Sequence, residues 1–176
     1  MNRSRITGLA EISKFEEKVI AHAFPNLRSA LESYADPLSS KVAISVFDRW
    51  LGEDLHLLDC KLQGEREERE VRKLCFWESI FESTSVYTYR STSQKVASQN
   101  IELMRYVDKE RYLADCAYNP EKTSAQFQFV ILPEFQAVYQ ENWDDTNVLW
   151  FTAREKVEPL LQQAGNCGLF VLEYMA

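Results

Sequence analysis

Glycine and proline are scarce in this chain, with only five of each among 176 residues. A phosphate-binding loop of the P-loop or dinucleotide type needs glycines where the backbone approaches the ligand closely. The glycines are scattered and form neither G-x-G-x-x-G nor G-x-x-x-x-G-K-[ST]. The sequence therefore argues against nucleotide binding through those motifs.

Histidine is scarcer still, and cysteine is never closely spaced. His22 and His56 have neither H-x-x-x-H spacing nor a nucleophile elbow, so we expect both to be structural or incidental. The chain has no C-x-x-C pair and no secretory signal after Met1, which predicts reduced, mostly buried thiols in a cytoplasmic protein. The cysteines concerned are Cys60, Cys75, Cys116 and Cys167. We expect no catalytic residue, metal site or cofactor from these patterns.

Long apolar runs and positive charge are also lacking. No segment approaches the roughly 18 apolar residues of a membrane helix, so we expect no membrane association. The net charge of −7 would repel phosphates, which argues against a nucleic-acid partner. Acidity most often serves solubility, but it also suits a negative face that docks a basic protein partner. The oligomeric state stays open, because a strand edge or a helical face could equally pair two chains.

The apolar content is ample for a packed core, with 45% hydrophobic and 12% aromatic residues. The length predicts a single α+β domain over residues 1–176. Residues 1–36 are predicted to form a helical hairpin that ends at Asp36-Pro37. Its first helix has apolar residues at helical spacing, namely Leu9, Ile12, Phe15, Val19 and Ala23.

The middle of the chain is harder to interpret. Residues 41–47 alternate like a strand, yet Val42, Val46 and Trp50 are spaced four apart, and we favour a helix. The charged run 65–73 predicts the start of a helix that continues to Phe81. Residues 93–118 also have helical character.

The last fifty residues give the clearest pattern. Strands are predicted at 126–132, 136–142, 147–151 and 168–174, with a helix between the last two. Thr152 to Glu155 resembles a capping box, and Gly165 is a natural residue to follow the helix. The first three strands predict an antiparallel meander, and the helix carries the chain back to add the fourth. We expect an α+β fold in which the N-terminal hairpin and further helices pack on a mixed or antiparallel sheet ending β-β-β-α-β. This ending is similar to small bacterial α+β domains of unassigned function, some immunity-like, and the likeness transfers no functional residue.

Acidic and aromatic residues concentrate at the connections between these strands. Aromatic anchors rimmed by carboxylates suit docking against a basic protein surface. The candidate partner-binding residues are Glu134, Phe135, Tyr139, Glu141, Trp143, Asp144 and Asp145. The simpler interpretation is that 144–147 form a turn and the aromatics fill the core.

Two functions therefore remain open. The favoured one is a non-enzymatic, soluble protein-interaction or regulatory module of the inhibitor or immunity type. The alternative is a small-ligand- or metal-dependent enzyme with a pocket between the sheet and the N-terminal helices. Its carboxylates would come from Glu134, Glu141, Asp144, Asp145 or Glu173.

Overall fold

The computed structural model describes residues 8–33, 35–52, 54–58, 63–91, 101–117, 129–140 and 145–174. The helices are Lys14–Ala23 (α1), Leu27–Ser33 (α2), Gln63–Ser83 (α3), Lys109–Cys116 (α4) and Arg154–Asn166 (α5). The strands are Leu9–Glu11 (β1), Ser40–Ser45 (β2), Tyr87–Ser91 (β3), Ile101–Tyr106 (β4), Phe129–Leu132 (β5), Ala137–Gln140 (β6), Thr146–Phe151 (β7) and Phe170–Glu173 (β8). None of the five helices described is long and apolar enough to cross a membrane.

The eight strands form one sheet in the order β1-β4-β3-β5-β6-β7-β2-β8. Every neighbouring pair is antiparallel. Helices cover both faces, and the side chains of each strand alternate between two cores. Val130 and Leu132 of β5 join the core under α3, α4 and α5, whereas Ile131 between them joins the core under α1 and α2. The predicted α+β class is confirmed.

The N-terminal helical hairpin is confirmed as α1 and α2, but its buried face differs from the predicted one. Ile20 of α1 is buried, whereas Phe15 is 75% exposed and Val19 is exposed too. Leu9 belongs to β1 rather than to the helix. A capping box starts α1: Ser13 Oγ accepts from the Glu16 N–H at 3.2 Å, and Glu16 Oε2 accepts from the Ser13 N–H at 2.7 Å.

The preference for a helix over residues 41–47 is wrong, because this segment contains β2. Val42, Ala43, Ile44 and Ser45 are all buried. Both sides of β2 are paired, with β7 on one side and β8 on the other. The alternation within residues 41–47 is therefore the informative signal, and the four-residue spacing of Val42, Val46 and Trp50 is incidental.

The helix predicted over residues 93–118 is also largely wrong. Residues 101–106 form β4, which lies between β1 and β3, and only α4 is helical. Residues 93–100 lie outside the described part of the chain. Asp108 separates the two elements, and its side chain accepts from the Arg111 N–H at 2.7 Å as the N-cap of α4.

The C-terminal order β-β-β-α-β is confirmed, and β5, β6 and β7 form the predicted meander. However, β8 does not extend this meander, because it pairs with β2. The predicted capping box at Thr152 is absent, since Thr152 Oγ1 instead donates to Gln136 Oε1 at 2.7 Å. Pro159 stays inside α5.

The turn after α5 is formed by Gly168, not by the predicted Gly165. Gly168 has φ +76°, and its N–H donates to the Gly165 carbonyl at 2.9 Å. The Leu169 N–H donates to the Ala164 carbonyl at 2.9 Å, which completes a Schellman motif. This turn directs the chain from α5 into β8.

A disulfide overturns the prediction that all the thiols are reduced. Cys75 of α3 and Cys167 at the end of α5 are joined, with their Cα atoms 5.7 Å apart. That separation is ordinary for a disulfide. Cys116 is free and buried, as predicted, and Cys60 lies outside the described residues.

We expect the Cys75–Cys167 bond to stabilise the fold, because it closes a loop with a sequence separation of 92. Cys75→Ser with Cys167→Ser should lower the free energy of unfolding by about 2–4 kcal/mol, chiefly by freeing the unfolded chain. Urea unfolding with and without dithiothreitol measures this. The reductant should destabilise the wild type and leave the double variant unchanged; equal wild-type stability in both conditions would contradict the prediction.

Candidate functional site

The structure separates those predicted partner-binding residues that it describes instead of bringing them together. Glu134 and Phe135 lie in a short 3₁₀ turn, Pro133–Phe135, before β6, and Asp145 lies before β7. These positions lie beyond opposite ends of β6. Val148, three residues after Asp145, pairs with the last residue of β6, so the two positions are roughly 20 Å apart along the strand direction. Glu141, Trp143 and Asp144 lie outside the described residues.

Tyr139 is a core residue. Its side chain is 1% exposed, and its hydroxyl accepts a hydrogen bond from Trp77 Nε1 at 3.3 Å. Its ring also packs edge-on against Phe76, with the ring centroids 5.8 Å apart. Tyr139 therefore has no surface to offer a partner.

The described carboxylates proposed for an enzyme lie in three separate places. Glu134 is exposed and accepts from Thr84 Oγ1 at 2.8 Å, and Glu173 on β8 pairs with Arg154 at 2.8 Å. Asp145 lies apart from both, beside Lys73 and Arg69 of α3. Within the described ranges, no group of three or more His, Cys, Asp or Glu side chains is arranged to hold a metal. His22 and His56 are both exposed.

Asp145 belongs to an ion cluster between α3 and the start of β7. Lys73 Nζ donates to Asp145 Oδ1 at 2.7 Å and lies 2.8 Å from Glu70 Oε1. Arg69 Nη1 lies 3.8 Å from Asp145 Oδ2, and its guanidinium covers the Phe47 ring at 4.5 Å. Asp145 has φ +56°, a left-handed conformation that Asp tolerates better than most residues.

The protonation of Lys73 decides what this cluster can do chemically. Burial opposes the ammonium, but the nearby carboxylates of Asp145 and Glu70 outweigh it, so the pKa of Lys73 is raised. A lysine that stays protonated is neither a nucleophile nor a general base at neutral pH. The cluster therefore acts as an electrostatic clasp that holds Asp145, just before β7, against α3.

A different part of the surface presents fixed aromatic rings. Trp50 and Tyr174 are 40% and 39% exposed, and their rings pack edge to face with centroids 4.9 Å apart. Trp50 Nε1 donates to the Glu173 carbonyl at 3.1 Å, and Lys41 Nζ lies over the Tyr174 ring at 4.9 Å. Both rings are thus held in place although they face solvent.

Phe170 extends this surface along β8. It is 40% exposed and pairs with Ser45 of β2. Ser45 is on the same strand face as Lys41, whose Nζ lies over the Tyr174 ring. We call Trp50, Phe170 and Tyr174 the β8 aromatic surface. β8 is the last strand in the order of the sheet, so this surface lies at a sheet edge.

Carboxylates outnumber cations around the β8 aromatic surface. Arg154 is shared by Glu173 and Glu158, at 2.8 and 3.6 Å. Arg49, next to Trp50, is shared by Asp48 and Asp54, at 3.6 and 3.4 Å. Lys41 pairs with Asp36 at 2.7 Å. In these ion pairs, three cations serve five carboxylates.

Sequence reasoning missed this surface because its residues are far apart in the chain. The hydrogen bond from Trp50 to Glu173 spans 123 residues. Trp50 was assigned to a helix with Val42 and Val46, and Tyr174 to the end of a strand. The available signal was local: Trp50 stands among charged residues, where a core tryptophan is unusual.

Removing the Asp145 carboxylate should weaken the clasp. Asp145→Asn keeps a residue that tolerates the left-handed backbone but loses the charge, and we expect a loss of about 2 kcal/mol in unfolding free energy. Asp145→Asn with Lys73→Met should cost less than the sum of the single changes, because the two groups interact. Asp48→Asn, which disturbs an exposed ion pair, should change stability by about 0.5 kcal/mol or less. If the losses of unfolding free energy in the two single variants simply added in the double variant, the urea data would contradict an interaction between Asp145 and Lys73.

Lys73 and two buried tyrosines of the core, Tyr106 and Tyr112, predict a fall in stability at alkaline pH. Burial raises the pKa of Tyr106 and Tyr112, and the carboxylates raise the pKa of Lys73. All three therefore hold their protons more tightly in the folded state than in the unfolded state. Their contributions are complete at neutral pH and are lost as the pH rises above about 10. Urea unfolding between about pH 7 and pH 11 should show this fall, and Asp145→Asn should make it shallower. A flat profile would contradict the prediction.

No protein-family model matches the chain, and no curated protein or solved structure matches it significantly. We therefore infer function from the side chains described above.

Proposed function

We propose that this protein is a non-enzymatic interaction module of a regulatory or inhibitory kind, and that it docks a basic partner protein on the β8 aromatic surface. The observation that carries this proposal is the pair formed by Trp50 and Tyr174. Both rings are substantially exposed, yet each is held by defined contacts.

Fixed, exposed aromatic rings suit protein recognition. Trp and Tyr are enriched among the residues that dominate binding energy at interfaces. Trp50 is anchored by its bond to the Glu173 carbonyl, and Tyr174 is held between Trp50 and Lys41. Because these side chains are already ordered, binding would cost little additional side-chain conformational entropy.

The charge around the rings supports a basic partner. Each nearby cation is already paired, and Arg49 and Arg154 each face two carboxylates. Lys or Arg side chains of a partner would pair with these carboxylates, which the chain's own cations do not fully neutralise. Such complementarity mainly raises the association rate and selects the partner.

Some of the residues first predicted from the sequence remain compatible with this surface. Thr146 pairs with Ser45, and Ser45 pairs with Phe170, so the start of β7 is two strands, about 10 Å, from Phe170. We keep Glu141, Trp143 and Asp144, which precede that point in the chain, as proposed contacts of the same partner. Tyr139 is not among them, because it is buried.

A cytoplasmic location is part of this proposal, and the disulfide provides a check on it. Cytosolic thiols are normally kept reduced. Cell fractionation with differential alkylation of Cys75 and Cys167 would locate the protein and show the state of the bond. Recovery only from an oxidising compartment would contradict the proposed location.

The docking proposal predicts that truncating the aromatic rings removes a specific partner. Tagged wild type and a Trp50→Ala, Tyr174→Ala variant would be used to isolate bound proteins at low and moderate salt. We expect one stoichiometric basic protein that the variant fails to retain and that salt releases. Its affinity, measured with the purified partner, should fall at least about tenfold in the variant.

Phe15→Ala with Val19→Ala is the matched control, since these side chains are also exposed and apolar but lie on α1. The control should bind like the wild type, and circular dichroism should show that both variants are folded. Equal loss in both variants, or full binding by the Trp50 and Tyr174 variant, would refute the docking surface.

A further inference from the structure

The Cys75–Cys167 disulfide lies at the edge of the core under α3 and α5, with one of its two residues exposed. Cys75 is exposed on the outward side of α3, beside Val71 and Leu74, whose side chains are also exposed. Cys167, which follows the last residue of α5, is half-buried. A thiol in solution can therefore reach the Cys75 sulfur more readily than the Cys167 sulfur.

This bond attaches the turn between α5 and β8 to α3; we call this turn, residues 167–169, the corner. The corner is held internally by the hydrogen bonds of Gly168 and Leu169, and Leu169 is buried in the core under α3 and α5. In the part of the chain that the structure describes, β8 pairs with β2 alone. The disulfide is the covalent link that joins this corner to the long helix α3.

Arg72 lies beside Gly168, the residue that follows Cys167. A Cβ atom built on Gly168 would lie 3.4 Å from Arg72 Cδ and 3.6 Å from Arg72 Nε, so the Arg72 stem packs on the residue next to Cys167. Arg72 is also three residues from Cys75 on α3, which puts the two on neighbouring positions of the helix surface. Its own ion pair, with Glu68, is long at 4.0 Å.

We propose that Cys75–Cys167 is a thiol–disulfide exchange site for small thiols or dithiols, in which Cys75 is the sulfur attacked and Arg72 favours departure of Cys167. A thiolate attacks Cys75 Sγ, the Cys75–Cys167 bond breaks, and its electron pair leaves on Cys167 as a thiolate. A second thiolate then attacks the sulfur of the mixed disulfide and releases Cys75. The protein disulfide is reduced by two electrons, the dithiol is oxidised to its disulfide, and solvent protonates the two cysteines according to pH.

Arg72 acts in this scheme as a positioning residue through its charge. A neighbouring cation stabilises a thiolate, and a more stable thiolate is a better leaving group in exchange. Cys116 is buried, so it is not available to attack Cys75 as an internal thiol. Among the cysteines that the structure describes, none is available as an internal attacking thiol, and in this proposal the thiol comes from solution.

Opening the bond should loosen the corner it fastens while the rest of the sheet persists. Residues 164–174 would then be held by the internal hydrogen bonds of the turn and by the pairing of β8 with β2. Edge elements with few partners lie at the low-stability end of a structure. The site would thus couple the redox state to the order of β8.

The test measures how fast the folded protein is reduced over a series of dithiothreitol concentrations, with quenching by alkylation and thiol counting by mass spectrometry. The rate should rise in proportion to the thiol concentration. Arg72→Gln should be slower on the order of threefold at low salt, because the Cys167 thiolate loses its neighbouring cation. High salt should reduce the difference. Hydrogen exchange after opening should increase within residues 164–174.

Arg66→Gln is the matched control, because it removes the same charge from an exposed position of α3, nine residues from Cys75. It should be reduced at the wild-type rate. A reduction rate that levels off at the global unfolding rate would overturn the proposal, as would equal slowing of both variants. Unchanged hydrogen exchange at 164–174 after opening would overturn the coupling to β8.

Discussion

The antiparallel pairing of β2 with β7 is the constraint on which the rest of the molecule depends. It joins two segments about a hundred residues apart, and the hydroxyls of Ser45 and Thr146 meet at its end at 3.2 Å with a sequence separation of 101. β8 enters the sheet only because β2 is already there to pair with it. The clasp of Lys73 and Asp145 forms at one end of this pairing, and the Trp50 and Tyr174 rings lie near the other.

Elements that depend on local pattern could be predicted from the sequence, whereas those that depend on remote neighbours could not. The charged run of α3 and the β-β-β-α-β ending show their periodicity within a short window. β2 and β4 do not, because their apolar residues fit a helix or a strand equally well. Their conformation is decided by pairing with the strands on either side, which are remote in sequence. The partner of β8 was missed for the same reason.

The surface was harder to predict than the fold. The sequence predicts Asp145 as a partner contact, whereas the structure shows it paired with Lys73 and in a left-handed backbone conformation. Tyr139 has the same residue type as Tyr174, yet one is in the core and the other faces solvent. Only the register of the sheet distinguishes them. The spacing of the cysteines likewise gave no indication that Cys75 and Cys167 meet, since bringing them together requires α3 and α5 to pack on one face.

The position of β2 in the sheet also has a consequence for synthesis of the chain. Both strands that pair with β2 are translated roughly a hundred residues later, which at about 5–20 residues per second is a wait of about 5–20 seconds. Throughout that interval the apolar segment Val42–Ile44 has no strand to pair with on either side. Unpaired apolar strands are prone to associate with other chains. We therefore expect this segment to be the part of the nascent chain most prone to association until the last strands emerge.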